Sequence, residues 1–215
     1  MAWILPFTDS SCDAALPQVQ RVLAAHGVVA LPTETYYGLA VRPTDDAALA
    51  RLVEVKGRPP DKPILVLIGA PEQLVPLVAS ITPAASLLME RFWPGSLTIV
   101  FQAASGLSPL LTAGSGTIGV RLSPLPVLQR LLTHTGPLTG TSANRSSESP
   151  MADPGAVQHL LGSYIDLILD GGRTPGGLAS TVVDARECPR LLRAGVIATD
   201  HIRTVLERSG YTLSS

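Results

Sequence analysis

The chain has 215 residues, of which 46% are hydrophobic and 15% are charged, a composition that excludes both a disordered chain and a coiled coil. Its 19 glycines and 19 prolines favour short elements joined by tight turns over a bundle of long helices. The 16 basic and 17 acidic residues leave a net charge of -1. No general positive field therefore attracts nucleic acid, and any site for a polyanion must be a local cluster.

Apolar segments of strand and helix type alternate along the whole chain, which predicts an α/β fold. The predicted helices cover residues 14–26, 45–56, 82–92, 126–134, 153–161 and 199–209. The predicted strands cover residues 28–31, 64–68, 97–101, 119–122, 138–141, 166–169 and 180–184. We expect one domain over residues 10–200 and no second domain, built on a twisted sheet of about seven parallel and antiparallel strands with flanking helices.

The cysteines and the N-terminus give no sign of export, of a metal site or of a membrane segment. Cys12 and Cys188 lie far apart and match no metal-binding or redox spacing. The first eleven residues lack a basic segment, and Pro6 interrupts their apolar run, unlike a signal peptide. The longest apolar stretches, such as residues 64–70, are far too short to cross a bilayer. These features predict a cytoplasmic protein without membrane contact.

A cationic loop follows the second predicted helix. The spacing of Leu49, Leu52 and Lys56 places Lys56 on the buried face of that helix. Lys56, Arg58 and Lys62 then bring three cations into seven residues, and the loop contains three prolines when Pro63 is included. Cations on a stiff loop suit a triphosphate or a carboxylate, because arginine pairs with oxyanions through two N–H groups. The alternative is a solvated loop whose lysine complements the helix dipole.

Other polar residues lie at or inside predicted strands. Residues 32–38 (PTETYYG) carry hydroxyls and a carboxylate after one strand, and residues 141–144 (TSAN) follow another; ordinary turns are the alternative for both. Arg121 lies inside a strand, where a buried arginine needs an anionic partner, and Arg193 repeats this pattern. A structural salt bridge is the alternative for both arginines. No phosphate-binding loop, dinucleotide fingerprint, zinc motif or nucleophile elbow is present.

Together these segments resemble the YrdC/TsaC family of L-threonylcarbamoyladenylate synthases. Seven motifs occur in the family's order and span nearly the whole chain. They are GVVALPTETYYGL at 27–39, KGRPPDKP at 56–63, WPGSLT at 93–98, VRL at 120–122, TSAN at 141–144, STVVD at 180–184 and LRAG at 192–195. The length resembles the short form of the family, which lacks an extra C-terminal domain.

The resemblance implies an enzyme that joins L-threonine, bicarbonate and ATP into L-threonylcarbamoyl-AMP and pyrophosphate, for modification of tRNA next to the anticodon. Mg2+ would be carried by the nucleotide, with no resident metal site. Downstream threonylcarbamoyl-transfer proteins are the implied partners, with weak contact to tRNA or double-stranded RNA. The implied residues are Lys56 and Arg58 for catalysis, Thr35, Arg121, Thr141 and Ser180 for L-threonine, and Arg58, Lys62, Ser142, Asn144 and Arg193 for ATP.

Two positions depart from the family pattern. Leu67 stands where many relatives carry a histidine that contributes to the threonine pocket, so that contact is lost or replaced. Arg145 opens the segment RSSESP where the family continues with leucine, serine and glycine; it either contacts phosphate or is solvated. Two other functions stay open: an RNA-binding or ribosome-maturation protein of the same fold, and a carbamoyl-adenylate enzyme with another acceptor.

Overall fold

The computed structural model describes residues 1–59 and 61–214. The helices of this part are α1 (Cys12–Ala24), α2 (Asp46–Lys56), α3 (Pro83–Phe92), α4 (Pro109–Thr112), α5 (Pro126–Thr135), α6 (Pro154–Leu161) and α7 (Thr199–Glu207), with a 3-10 turn at Pro71–Leu74. The strands are β1 (Trp3–Pro6), β2 (Val29–Pro32), β3 (Tyr37–Ala40), β4 (Val66–Ile68), β5 (Leu97–Gln102), β6 (Thr117–Leu122), β7 (Leu138–Thr139), β8 (Thr141–Ser142), β9 (Leu167–Asp170), β10 (Thr181–Asp184) and β11 (Arg190–Arg193). None of the described helices is both long and apolar enough to span a membrane.

The strands form two mixed sheets. One has the order β1-β9-β2-β3-β8, and the other has the order β11-β10-β5-β6-β4-β7. In the first sheet β9 pairs in parallel with β1 and β2, whereas β3 pairs antiparallel with β2 and β8. In the second, β5 is parallel to β10 and antiparallel to β6. The α/β class with parallel and antiparallel pairing is confirmed, but the expectation of one sheet of about seven strands is wrong.

Gly140 explains why one expected strand joins two sheets. The predicted strand 138–141 divides at this glycine into β7, which pairs with β4, and β8, which pairs with β3. The Gly140 N–H donates to the carbonyl of Leu65 at 2.8 Å, and a Cβ at this position would lie 2.5 Å from Cγ of Leu67. Only a residue without a side chain allows this close approach.

Local capping residues define the helix that leads into the cationic loop. The carboxylate of Asp45 accepts a hydrogen bond from the N–H of Ala48, which satisfies one free donor at the start of α2. Gly57 ends the helix in the left-handed conformation, with φ 54°. Both features agree with the predicted span of this helix, residues 45–56. Because the chain turns at Gly57, the side chains of Lys56 and Arg58 point in different directions.

Two hydrophobic clusters hold the helices against the sheets. The larger cluster joins α2, α3 and α7 to both sheets through residues such as Leu52, Leu88 and Ile99. The smaller one packs α1 and α5 on β2, β4 and β9, and it contains Leu23 and Leu67. Full burial of one such side chain contributes about 1.5–3 kcal/mol. β1 and most of α7 lie outside residues 10–200, and the division of the chain into domains stays a prediction.

Candidate functional site

A cavity of about 500 Å³ opens between the two sheets, a volume typical of small-molecule sites. One wall is a face of the six-stranded sheet. Side chains on one face of a strand are two residues apart, and Thr98 on β5 and Thr117, Gly119 and Arg121 on β6 line the cavity in this way. Val182 extends this wall onto β10.

The opposite wall comes from the five-stranded sheet and the loops at its edge. It consists of the β2–β3 loop with the start of β3, and of the segment from Gly140 to Asn144, which includes β8. Its residues are Thr33, Thr35, Tyr36, Tyr37, Gly38, Gly140, Thr141, Ser142 and Asn144. Arg58 and Pro63 close one side, and Ala179, Ser180, Leu192 and Arg193 close another.

Eight of the ten site residues expected from the sequence line this cavity: Thr35, Arg58, Arg121, Thr141, Ser142, Asn144, Ser180 and Arg193. Lys56 and Lys62 are not among the described residues that line it. Lys62 is exposed, and its carbonyl accepts a hydrogen bond from Nε of Arg58 at 3.0 Å. The described residues include no group of three or more His, Cys, Asp or Glu side chains that could hold a metal ion.

Lys56 is buried behind the cavity wall, where it holds the TSAN segment (residues 141–144). Its ammonium group donates to the carbonyls of Ser142 and Asn144, the latter at 2.9 Å. Its own carbonyl accepts from the N–H of Ser146 at 2.8 Å. Burial, and to a smaller extent the charge of Arg58, lower the pKa of Lys56 from 10.5 to about 8. The geometry therefore assigns Lys56 contacts with the backbone of the wall rather than with the cavity.

Arg58 and Arg193 reach the cavity from opposite sides, and each is steadied by neighbouring oxygen atoms. Arg58 donates to the carbonyl of Pro63 at 2.7 Å and to the hydroxyl of Thr141 at 3.2 Å. Arg193 donates to the carbonyl and the hydroxyl of Ser180. The sequence argument treated Arg193 as a buried arginine; this was wrong, because it lies on the exposed edge strand β11.

Arg121 is the buried cation of the site. Its side chain is 4% exposed, and Nε lies 3.3 Å from Oε1 of Glu34. Burial lowers the pKa of Arg121, and the negative charge of Glu34 opposes that effect. The salt bridge proposed as an alternative role therefore exists, while the same arginine also lines the cavity. The two interpretations of Arg121 do not exclude each other.

Hydroxyl groups and one amide supply the neutral polar contacts of the cavity. The Thr33 hydroxyl donates to the carbonyl of Tyr36 at 2.7 Å, which leaves it to accept from Thr35. The Ser180 hydroxyl lies 2.9 Å from that of Thr98. The amide nitrogen of Asn144 donates to two backbone carbonyls, but its buried Oδ1 has no partner within the described part of the chain. An unsatisfied buried acceptor beside a cavity indicates a place for a donor from a ligand.

The two positions that depart from the family pattern lie away from the cavity. Leu67 is fully buried in the smaller hydrophobic cluster, next to Gly140. The guanidinium of Arg145 lies 5.0 Å from the ring centroid of Tyr164, a cation–π geometry. Arg145 is an exposed residue outside the residues that line the cavity, which agrees with the solvated alternative, and its guanidinium packs on the ring of Tyr164 at the surface.

Thr98, Thr117 and Gly119 line the cavity but were not predicted from the sequence. A signal was available, because Thr117 and Gly119 precede Arg121 at the spacing of two that defines one face of a strand. The role of Glu34 was also missed. Its partners were not predicted: the carboxylate faces Arg121 and two serine hydroxyls.

Comparison with known proteins shows which family the chain belongs to. The family model of Sua5, YciO and YrdC proteins, described as "Telomere recombination", matches residues 21–195. The chain belongs to the Sua5/YciO/YrdC family. A member from Vibrio vulnificus called threonylcarbamoyl-AMP synthase is 38% identical over 183 residues, which are 84% of this chain and 98% of that protein. A Bacillus subtilis member with the same name is 37% identical over 209 residues, or 95% of this chain and 60% of that protein.

Solved structures of the Sua5/YciO/YrdC family share the fold. Sua5 of Pyrococcus abyssi in complex with L-threonine superimposes with a TM-score of 0.87 at 31% identity, covering 100% of this chain and 62% of that one. YciO of Escherichia coli superimposes with a TM-score of 0.81 at 24% identity, covering 91% of this chain and 96% of that one. The chain therefore spans about three fifths of the length of the Bacillus and Pyrococcus relatives.

Proposed function

We propose that this chain is an L-threonylcarbamoyladenylate synthase, which forms L-threonylcarbamoyl-AMP and pyrophosphate from L-threonine, bicarbonate and ATP. The observation that carries the proposal is one cavity in which Arg58, Arg121 and Arg193 surround a set of hydroxyl groups. Relatives called threonylcarbamoyl-AMP synthase, and a related structure that contains L-threonine, support it. The product would serve the modification of tRNA next to the anticodon in the cytoplasm.

The chemistry needs positive charge more than it needs a nucleophilic side chain. The amine of L-threonine combines with bicarbonate to give an N-carboxylate and water. An oxygen of that carboxylate then attacks the α-phosphorus of ATP, and the bond from this phosphorus to the oxygen of pyrophosphate breaks. Two anions must approach each other, so fixed cations in a partly desolvated cavity lower the barrier. Mg2+ would enter with the nucleotide.

The L-threonine site would lie at the closed end of the cavity, around Arg121. This guanidinium is buried but faces the cavity, which suits the carboxylate of an amino acid. The buried hydroxyls of Thr35, Thr141 and Ser180 line the same space and can contact the substrate's hydroxyl and amine.

The ATP site would lie toward the mouth. Arg58 and Arg193 reach it from opposite sides, and Ser142 and Asn144 present neutral polar groups between them. Lys62 lies on the exposed loop beside Arg58, where it can meet the outer phosphates. Lys56 would act indirectly, because its ammonium fixes the backbone of Ser142 and Asn144.

Pyrophosphate release tests the function. The protein is incubated with ATP, Mg2+, bicarbonate and each amino acid in turn, and omission of bicarbonate is the matched control. We expect release with L-threonine and slower release with L-serine, because the loss of one methyl group costs only about 1–3 kcal/mol. L-Valine should be slower still, because its methyl group leaves hydroxyl partners in the cavity unpaired. Equal rates with L-threonine and L-valine would contradict the pocket assignment.

The same assay separates the two other functions. Bicarbonate-dependent release with a different acceptor would indicate a carbamoyl-adenylate enzyme of another specificity. Absence of release, together with a tRNA mobility shift that weakens as salt rises, would favour an RNA-binding protein. Transfer of the product to tRNA by a second protein would be measured by adding such a threonylcarbamoyl-transfer protein and tRNA to the reaction.

A further inference from the structure

Glu34 is a buried carboxylate for which the proposed reaction has no direct use. It belongs to the β2–β3 loop, and its side chain is 9% exposed. Oε2 accepts a hydrogen bond from the hydroxyl of Ser123 at 2.8 Å, and Oε1 accepts one from Ser96 at 3.3 Å. Ser96 precedes β5 and Ser123 follows β6. Two hydroxyls at strand ends of the six-stranded sheet therefore bind a carboxylate from a loop of the other sheet.

The contact between Glu34 and Arg121 balances charge without a hydrogen bond. Their Oε1 and Nε atoms are 3.3 Å apart, yet Nε is a buried donor with no hydrogen-bond partner among the described residues. A carboxylate that paired with arginine in the common two-point geometry would occupy two of its N–H groups. Both Glu34 oxygens instead accept from serine hydroxyls, and the hydrogen bonds of the described residues include none from Arg121 to Glu34.

We propose that Glu34 is a positioning residue that balances the charge of Arg121 and leaves its N–H donors available to an anionic group in the cavity. The proposed function enters only in naming that group as the carboxylate of L-threonine. A buried guanidinium without a countercharge would be costly in the empty protein. If Glu34 formed a full two-point pair with Arg121, the Glu34 carboxylate would compete with the ligand for the N–H groups of Arg121. The observed arrangement avoids both.

The charges around this point support the assignment. Desolvation and the positive charge of Arg121 both lower the pKa of Arg193, so the two cations lie within range of each other. Glu34 is the carboxylate paired with Arg121 among the described residues. Its removal leaves this end of the cavity more positive. An anion that binds there then meets less repulsion and supplies the missing countercharge.

A stability cycle tests the charge balance without any ligand. The proteins are the wild type, Glu34→Gln, Arg121→Met and the double variant, with Glu90→Gln on the exposed face of α3 as the matched control. Glu34→Gln should lower the melting temperature by roughly 10 °C, because it leaves a buried charge unpaired. The double variant should recover more than half of that loss. Purely additive effects of the two substitutions would overturn the inference.

Ligand affinity tests whether the donors of Arg121 are kept free. Calorimetry with L-threonine should give about 10-fold tighter binding for Glu34→Gln than for the wild type or Glu90→Gln, with ATP affinity changed less than about 2-fold. Ser123→Ala keeps the charge but releases Oε2 of Glu34 to pair with Arg121. It should therefore bind L-threonine roughly 10-fold more weakly. A simple structural role predicts the same direction for both variants, and that result would refute the inference.

The two experiments also separate this inference from the proposed function. A wild type that releases no pyrophosphate would refute the proposed function alone, because the stability cycle uses no substrate. A wild type that releases pyrophosphate with L-threonine, but in which Glu34 and Arg121 contribute additively to stability, would refute the inference alone. Ser123→Ala covers the case in which Glu34→Gln does not fold, because it retains both charges.

Discussion

Replacement of Lys56 by methionine should change the stability of the protein in a way that depends on pH. The ammonium donates to the carbonyls of Ser142 and Asn144, and methionine fills similar space without a donor. Each charge-assisted hydrogen bond contributes about 1.5–3 kcal/mol. The variant loses these contacts, but it also avoids the cost of burying a positive charge.

The lowered pKa of Lys56 gives the size of that cost. A drop from 10.5 to about 8 corresponds to roughly 3 kcal/mol. The unfolded chain binds the proton more tightly than the folded protein, so the cost is complete below pH 8. It disappears as pH rises from about 8 to 10.5. At pH 7 the lost hydrogen bonds of Lys56→Met and its avoided cost of burying a charge therefore partly cancel. The free energy of unfolding of the wild type, relative to that of the variant, should rise by up to about 3 kcal/mol across this pH interval.

Urea unfolding of both proteins at several pH values between 7 and 10 measures this difference. Groups that titrate in both proteins cancel when one free energy of unfolding is subtracted from the other. Lys62→Met is the control, because Lys62 is exposed and its replacement removes an ammonium group without removing a buried contact. A difference between wild type and Lys56→Met that stays constant over the interval would show that the Lys56 ammonium is solvated and would refute the reasoning.

Further predictions concern the cavity and its wall. Arg58→Ala and Arg193→Ala should each weaken ATP binding at least 10-fold, because each loses a charge-assisted contact of about 1.5–3 kcal/mol, while Lys62→Ala should have a smaller effect. Melting temperature and ATP affinity are measured on the same preparations; a variant that melts early but binds ATP normally removes that arginine from the site. Gly140→Ala should cost about 1–3 kcal/mol, because its Cβ would lie 2.5 Å from Cγ of Leu67. Thermal unfolding checks this, and a combined Leu67→Ala change should cost less than the sum of both.

The sequence predicted those parts of the fold that depend on neighbours along the chain. The cap at Asp45 and the stop at Gly57 are local, since each bonds to atoms a few residues away. Strand β3 was missed because Tyr37 to Ala40 contains a glycine and follows a polar loop, and its pairing with β2 and β8 defines it as a strand. The division at Gly140 depends on Leu65 and Leu67, which lie more than 70 residues earlier, so no local pattern reveals it.

The same distinction applies to the site. The strand-end position of the TSAN segment and the cation at Arg58 indicated the cavity, because loops after strands converge there. The helical spacing predicted correctly that Lys56 points inward, but periodicity does not say which atoms it meets. Its partners are carbonyls 86 and 88 residues away along the chain. The partners of Glu34 were likewise not predicted, because Arg121 and Ser123 lie almost 90 residues later in the chain, on or beside another strand.

The path of the chain between the sheets has a consequence for synthesis. β1–β3 belong to the first sheet, β4–β7 to the second, β8 and β9 to the first again, and β10 and β11 to the second. Residues from each of these four stretches of chain line the cavity, and the last stretch contributes Ser180 and Arg193. A nascent chain therefore exposes unpaired sheet edges until its final strands emerge, and its cavity is complete only after Arg193 has been added.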